Sequence, residues 1–351
     1  MHHRHLLAWL LLLLTSFEAP AAAAEPEVKP VAADRWVIGV VADNRGGTGT
    51  HGAILKHFQK AEVQMILNLG DMVYPAPGGE WDGIVKQFRE VYGEQAGDEF
   101  LARRVFVTVG GWDEQYVNQA QKLKDRGGQP EEKKSKRSRP GYEPDNAAGQ
   151  EFYERYFKYK DRAGKPDESI LEYTPQGDYH AQFRGVHLLS LYITDEWPNL
   201  GKKYHQHDDP EARRAAIEKQ AAWLRAKLKE IRAAEPRAPL IVMAHKGSWY
   251  NGGGPLADMA KALAEYKVDV ALSGDGHIYN FVPDANTLKL MAPGAYSDSS
   301  DGYFLIGITP SNGAIDVDHY RFTGELKHQH HKIAGEPVPV KDAPKTKGAS
   351  K

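Results

Sequence analysis

Gln64-Met65-Ile66-Leu67-Asn68-Leu69-Gly70-Asp71-Met72-Val73-Tyr74 is the stretch from which the fold reads outward. An apolar run of strand length ends in a Gly-Asp pair, so a carboxylate stands where a buried strand stops and the chain must turn. Upstream, Trp36-Val37-Ile38-Gly39-Val40-Val41 is a second such run, and Asp43 follows it. The spacing predicts helices over 53–60 and 81–92 and strands over 64–69 and 105–109. Further on it predicts helix 210–233, strand 240–244, helix 256–266 and strand 268–272. Strands alternating with helices predict an α/β protein with parallel strands covered by helices. Two stretches depart from that pattern. Strands 179–183 and 186–193 are joined by Arg184-Gly185, and further short strands run from Phe281 to Arg321, both reading as antiparallel hairpins.

The 351 residues, 41% of them hydrophobic, suffice for one large domain or two small ones. The formal charge of -2, from 45 basic and 47 acidic residues, lacks the excess of positive charge that nucleic-acid binding requires. Residues 1–24 read as an export signal. His2, His3, Arg4 and His5 precede an apolar run from Leu6 to Leu14, and Ala22 and Ala24 fit a cleavage rule before Glu25. The run is shorter than the roughly 20 residues that a spanning helix needs. A retained N-terminal anchor is the alternative; with cleavage, the mature chain is expected to be secreted or periplasmic, without stable membrane insertion. Residues 25–34 read as a Pro/Ala-rich linker and 35–326 as the folded domain. Within it, 119–148 form a charged insertion with the basic run Lys133 to Arg139, and 327–351 form a disordered tail. The chain has no cysteine, so a metal would be held by His, carboxylate, amide or tyrosine groups.

The chemistry lies at the strand ends. Asp43, Asp71, Asp113 with Glu114, His245, and Asp275 with His277 each follow a predicted strand, the place where open α/β sheets bind ligands. Any one of these aspartates reads equally as a helix cap or turn former. Together, carboxylate oxygens and imidazole nitrogens suit divalent or trivalent ions, and a shared carboxylate such as Asp71 could serve two of them.

Five blocks in order, Asp43, then Gly70-Asp71-x-x-Tyr74, then Gly110-Gly111-Trp112-Asp113-Glu114, then Val242-Met243-Ala244-His245, then Gly274-Asp275-Gly276-His277, resemble the calcineurin-like metallophosphoesterases. The resemblance is closest to the purple acid phosphatase branch, and it runs from about Trp36 to Gly324, including Gln220-x-x-Trp223-Leu224 on the long helix. It implies a four-layer α/β/β/α sandwich. It also implies two metals that activate a water or hydroxide for attack on phosphorus. By resemblance the first metal takes Asp43, Asp71, Tyr74 and His277, and the second takes Asp71, His245 and Asp275. One or two ions are implied, with iron, manganese or zinc as candidates, and Asp275 suits a hard cation. For Tyr74, a metal-bound phenolate and an ordinary half-buried aromatic both stand.

The chain departs from the family where the third block places an Asn and a catalytic His, here Gly111 and Trp112. It departs again at Asp275, which replaces the first His of the last block, and at Arg45, where relatives lacking the tyrosine carry a His. Arg45, beside Gly46-Gly47-Thr48-Gly49-Thr50, is a candidate to clamp a phosphate, with a surface ion pair as the alternative. Asp113 and Glu114 are candidate proton donors, with capping and turn roles as the alternative. Trp249 and Tyr250 read as cleft or packing residues. His205, His207, His328, His330 and His331 read as surface groups. Two functions follow: an exported hydrolase of phosphate mono- or diesters with a small phosphorylated substrate, or an impaired member of the family that binds a ligand or partner.

Overall fold

The computed structural model describes residues 35–45, 49–74, 81–113, 170–174, 177–193, 210–247, 249–251, 256–282, 287–295, 302–309 and 313–333. The segments expected to be signal and linker, the expected charged insertion, Glu114, His205, His207 and residues 334–351 lie outside them.

Strands β1 (Trp36–Val41), β2 (Met65–Asn68) and β3 (Val105–Val107) alternate with helices α1 (Gly49–Lys60), α2 (Trp81–Tyr92) and α3 (Glu94–Arg104). Then come β4 (Ile170–Tyr173), β5 (Tyr179–Phe183), β6 (Val186–Leu191), α4 (Pro210–Ala234), β7 (Leu240–Ala244), α5 (Ala257–Glu265) and β8 (Val270–Ser273). The chain closes with β9 (Asn280–Val282), β10 (Leu288–Met291), β11 (Gly302–Thr309), β12 (Ala314–Arg321) and β13 (Leu326–Ile333). They form two mixed sheets, a six-stranded one in the order β13-β12-β11-β1-β2-β3 and a seven-stranded one in the order β4-β5-β6-β7-β8-β10-β9.

Side-chain alternation explains the layering. Ile241 and Met243 of β7 and Val270 and Leu272 of β8 join the core shared with the first sheet. The intervening Leu240, Val242 and Ala271 pack under Leu224 and Leu228 of α4 and Met259 and Leu263 of α5. Both faces of the second sheet are therefore apolar, and it is sandwiched between the first sheet and these helices. Ile54, Phe58, Trp81, Ile84 and Phe88 of α1 and α2 join the core of the first sheet, so the expected α/β/β/α order holds. Each buried aliphatic or aromatic side chain contributes about 1.5–3 kcal/mol. Two hydrogen bonds tie the sheets where polar groups must be satisfied inside: Thr108 Oγ1 donates to the Leu191 carbonyl at 3.1 Å, and the Tyr179 hydroxyl to that of Val107 at 3.0 Å.

The Arg184-Gly185 turn has φ of 50° and 79°, the left-handed pair that a two-residue hairpin demands. Helix α3 was not predicted. It starts after Gly93 and buries Phe100 and Leu101 but has weak apolar periodicity, so tertiary packing creates it. The tail expectation is corrected at its start, because residues 326–333 form edge strand β13. His319 of β12 lies opposite His328 of β13, and the Tyr279 ring stacks on both at 4.3 and 4.5 Å. This stack, invisible in a polar sequence, holds the edge strand. Trp249 and Tyr250 are fully buried, and the indole donates to the Leu272 carbonyl at 3.0 Å, so packing is their role. No helix among the described residues is long and apolar enough to cross a membrane.

Burial holds the buried imidazoles of His51, His180 and His319 down to about 4. Between about 6.5, the ordinary value, and about 4, the unfolded chain takes up protons that the native state refuses, so stability falls as pH falls through that window. Each histidine contributes on the order of 1–3 kcal/mol to this loss. Between pH 7 and pH 4.5 the urea midpoint of His319→Phe, which retains a ring in the stack but cannot take a proton, is expected to shift less in the unfolded state's favour than that of wild type; equal slopes would refute this.

Candidate metal centre

Every residue of the candidate site stands just past the C-terminal end of a parallel strand. Asp43 and Arg45 follow β1, Asp71 follows β2, Trp112 and Asp113 follow β3, His245 follows β7, and Asp275 and His277 follow β8. The turns that carry them are tight. Of the eight non-glycine residues with positive φ among those described, five are Asp43, Arg45, Asp71, Asp275 and His277, with φ from 43° to 64°. Such backbone costs of order 1 kcal/mol each and clusters where the surroundings enforce it.

The enforcement is visible. The Asp43 N–H donates to the Gly70 carbonyl and the Arg45 N–H to the Asp71 carbonyl, both at 2.9 Å. Buried amides complete the lacing: Asn68 Nδ2 donates to Asn44 Oδ1 at 2.7 Å, and Asn44 Nδ2 to the Met72 carbonyl at 3.2 Å. Asp113 accepts from the Val73 N–H and the Gly110 N–H, both at 2.9 Å, one bond to each oxygen. Burial and the Asp71 charge push its carboxyl up to about 7, against these two bonds. With both oxygens on backbone N–H groups, Asp113 braces the loops after β2 and β3, as its turn-forming reading expects.

Asp43, Asp71 and His245, all buried, each offer a ligand atom within 4.8 Å of the others. His245 is aimed by its other nitrogen: Nδ1 donates to the Leu69 carbonyl at 2.7 Å, which leaves the lone pair on Nε2. That Nε2, 3.5 Å from Asp71 Oδ1, has no hydrogen-bond partner among the described residues, and neither does Asp43 Oδ1. A buried orphan acceptor is costly unless a cation completes it, and this donor set of two carboxylates and one imidazole suits a divalent ion. The electrostatics agree. Burial, with the charges of Asp71 and Asp275, pushes Asp43 up to about 8 against the pull of His245 and Arg45. Burial alone would lower His245, but Asp71, Asp43 and Asp275 outweigh it and push the imidazole up to about 9. The His245 shift describes a place where negative charge is in excess, so that a proton rests on Nε2 until a cation replaces it, while the Asp43 shift is led by burial.

The profile of the calcineurin-like phosphoesterases matches residues 37–279. The chain belongs to that family. Among solved structures it is similar to a dimetal phosphatase from Danio rerio, with 10% identity and a TM-score of 0.50, over 86% of this chain and 99% of that one. GAP50, the anchor in the inner membrane complex of Plasmodium, is 15% identical with a TM-score of 0.45, over 88% of this chain and 91% of that one. At such identities the likeness is one of fold. The search of curated proteins returned no match.

In this member of the family the other expected ligands are placed differently. His277 Nε2 lies 3.8 Å from Asp43 Oδ1 and receives a hydrogen bond from Arg45 at 3.0 Å. Asp275 Oδ2 faces Lys246 Nζ at 3.2 Å and the Gly247 N–H at 3.4 Å. The Tyr74 ring packs edge-on against Trp112 at 4.5 Å, and the Arg45 guanidinium lies 5.9 Å from the Trp112 ring. The described ring contact of Tyr74 is thus aromatic, and the resemblance to the purple acid phosphatase branch rests on that residue. Sequence reasoning missed Asn44, Asn68 and Lys246; Lys246 alone carried a signal, as a cation directly after a candidate ligand.

Glycine at 110 is a requirement of the site, because a Cβ there would fall on the backbone N and Oδ1 of Asp71. Gly110→Ala is expected to lower Mn(II) affinity about 10- to 100-fold, the range for mutations that disturb a ligand's support, while circular dichroism stays native. Unchanged affinity in isothermal titration would count against this placement of Asp71.

Proposed function

We propose that this protein is an exported, metal-dependent phosphoesterase that hydrolyses small phosphate mono- or diesters. The observation that carries the reading is the pair of buried acceptors without a partner, His245 Nε2 and Asp43 Oδ1, gathered with Asp71 at the strand ends. When bound there, a divalent ion supplies Lewis-acid polarisation and the activation of water. The chain's own groups supply the rest. Above the buried acidic floor stand Arg45, His277 and Lys246, with His277 and Lys246 each about a quarter exposed. Cations around the mouth of the site draw in an anion, and a guanidinium can grip two phosphoryl oxygens at once. Trp112 and Tyr74 form an aromatic wall beside Arg45, suited to the apolar part of an ester.

One observation favours a second reading, a ligand-binding protein on the same fold. Position 112 presents an indole where a proton donor for the leaving oxygen is expected, and Asp113 is committed to backbone. Esters with acidic leaving groups, which need little protonation, are therefore the substrates expected to react fastest.

The purified mature chain, expected to begin at Glu25 by intact mass, is to be assayed for metal content together with hydrolysis of an aryl phosphate and an aryl phosphodiester. Retained metal, with turnover that chelation abolishes and added ion restores, is the expected result. Absence of both metal and turnover would hand the case to the binding reading.

A further inference from the structure

We propose that the site holds one metal ion, and that the guanidinium of Arg45 is the built-in positive charge of the position that would include His277. The inference rests on the metal-site reading above and concerns how many ions that site admits.

Arginine has donors only, so the 3.0 Å contact between Arg45 and His277 Nε2 fixes the tautomer: His277 presents its Nε2 lone pair to the guanidinium. That lone pair is the one a metal would need. The two cations compete for a single orbital, and Arg45 is covalently present. It is also held in place, since its own N–H is bonded to the Asp71 carbonyl at 2.9 Å and its backbone is left-handed at φ 43°. The Trp112 ring flanks the guanidinium at 5.9 Å.

The opposite side of the site repeats the device. Asp275, the remaining candidate ligand, faces Lys246 Nζ at 3.2 Å. Each outlying donor is thus matched with a protein cation, and the donor atoms brought within 4.8 Å of one another belong to Asp43, Asp71 and His245. A second divalent ion at His277 would have to displace Arg45 and then sit beside its charge in a largely buried site, where like charges repel strongly. A phosphoryl group bound here lies between one metal ion and one guanidinium.

The test counts ions in the full mature chain. Protein equilibrated with Mn(II) and freed of excess is measured by elemental analysis and electron paramagnetic resonance. Wild type is expected to hold about one equivalent, with the spectrum of an isolated ion, and Arg45→His about two, with the spectrum of a coupled pair. Two equivalents in wild type would overturn the inference while leaving the metal-site reading intact; none would overturn both. Arg45→His that folds like wild type yet still holds one equivalent would also overturn it. Should that variant fail to fold, Arg45→Lys, which keeps a cation able to donate to His277, is expected to hold one equivalent, and two would refute the inference.

Discussion

The hydrogen bond from His245 Nδ1 to the Leu69 carbonyl, 2.7 Å long and fully buried, joins the C-terminal end of β7 in one sheet to the end of β2 in the other. It does two things at once. It fixes how the sheets meet at their carboxyl ends, and it commits the imidazole to the tautomer whose Nε2 faces Asp71. Gly70 makes it possible, since at φ 93° the chain turns away directly after Leu69, and a Cβ there would stand 2.5 Å from His245 Nδ1. The same glycine's carbonyl holds the Asp43 N–H, so one turn sets three candidate ligands.

Charge shapes the remainder. Asp43 and Asp71 are buried next to each other, an arrangement that repels itself in the absence of positive charge. Arg45 and Lys246 stand at the margin, and the centre, where Asp43 Oδ1 and His245 Nε2 converge, could hold an ion. The left-handed backbone at five site residues is the structural cost of aiming these groups inward from the ends of β1, β2 and β8.

Much of this was legible in the sequence, and for a definable reason. Apolar runs ending in an Asp or a His report both a buried strand and the group at its tip, so Asp43, Asp71 and His245 could be read together with the α/β class, while the four-layer order came from the family resemblance. The direction of a side chain could not. Asp275 and His277 were read as ligands from position, yet Lys246 and Arg45 engage them, and both partners come from other strand ends. Asp113 was read as either a proton donor or a turn residue, and sequence could not show that its bonds go to Val73, on a different loop, and to Gly110. Asn44 and Asn68 carry no signal in sequence, since an amide is informative only once its partner is known. Strand β13 was read as tail because its polar residues gain their place from the Tyr279 stack.

A crystal structure of the Mn(II)-loaded protein with anomalous scattering tests the central claim most directly. The account predicts a single anomalous peak coordinated by Asp43, Asp71 and His245 Nε2 at about 2.0–2.3 Å, with Arg45 still on His277. A peak on His277 with Arg45 swung away, or an Nε2 of His245 with no metal on it, would contradict it.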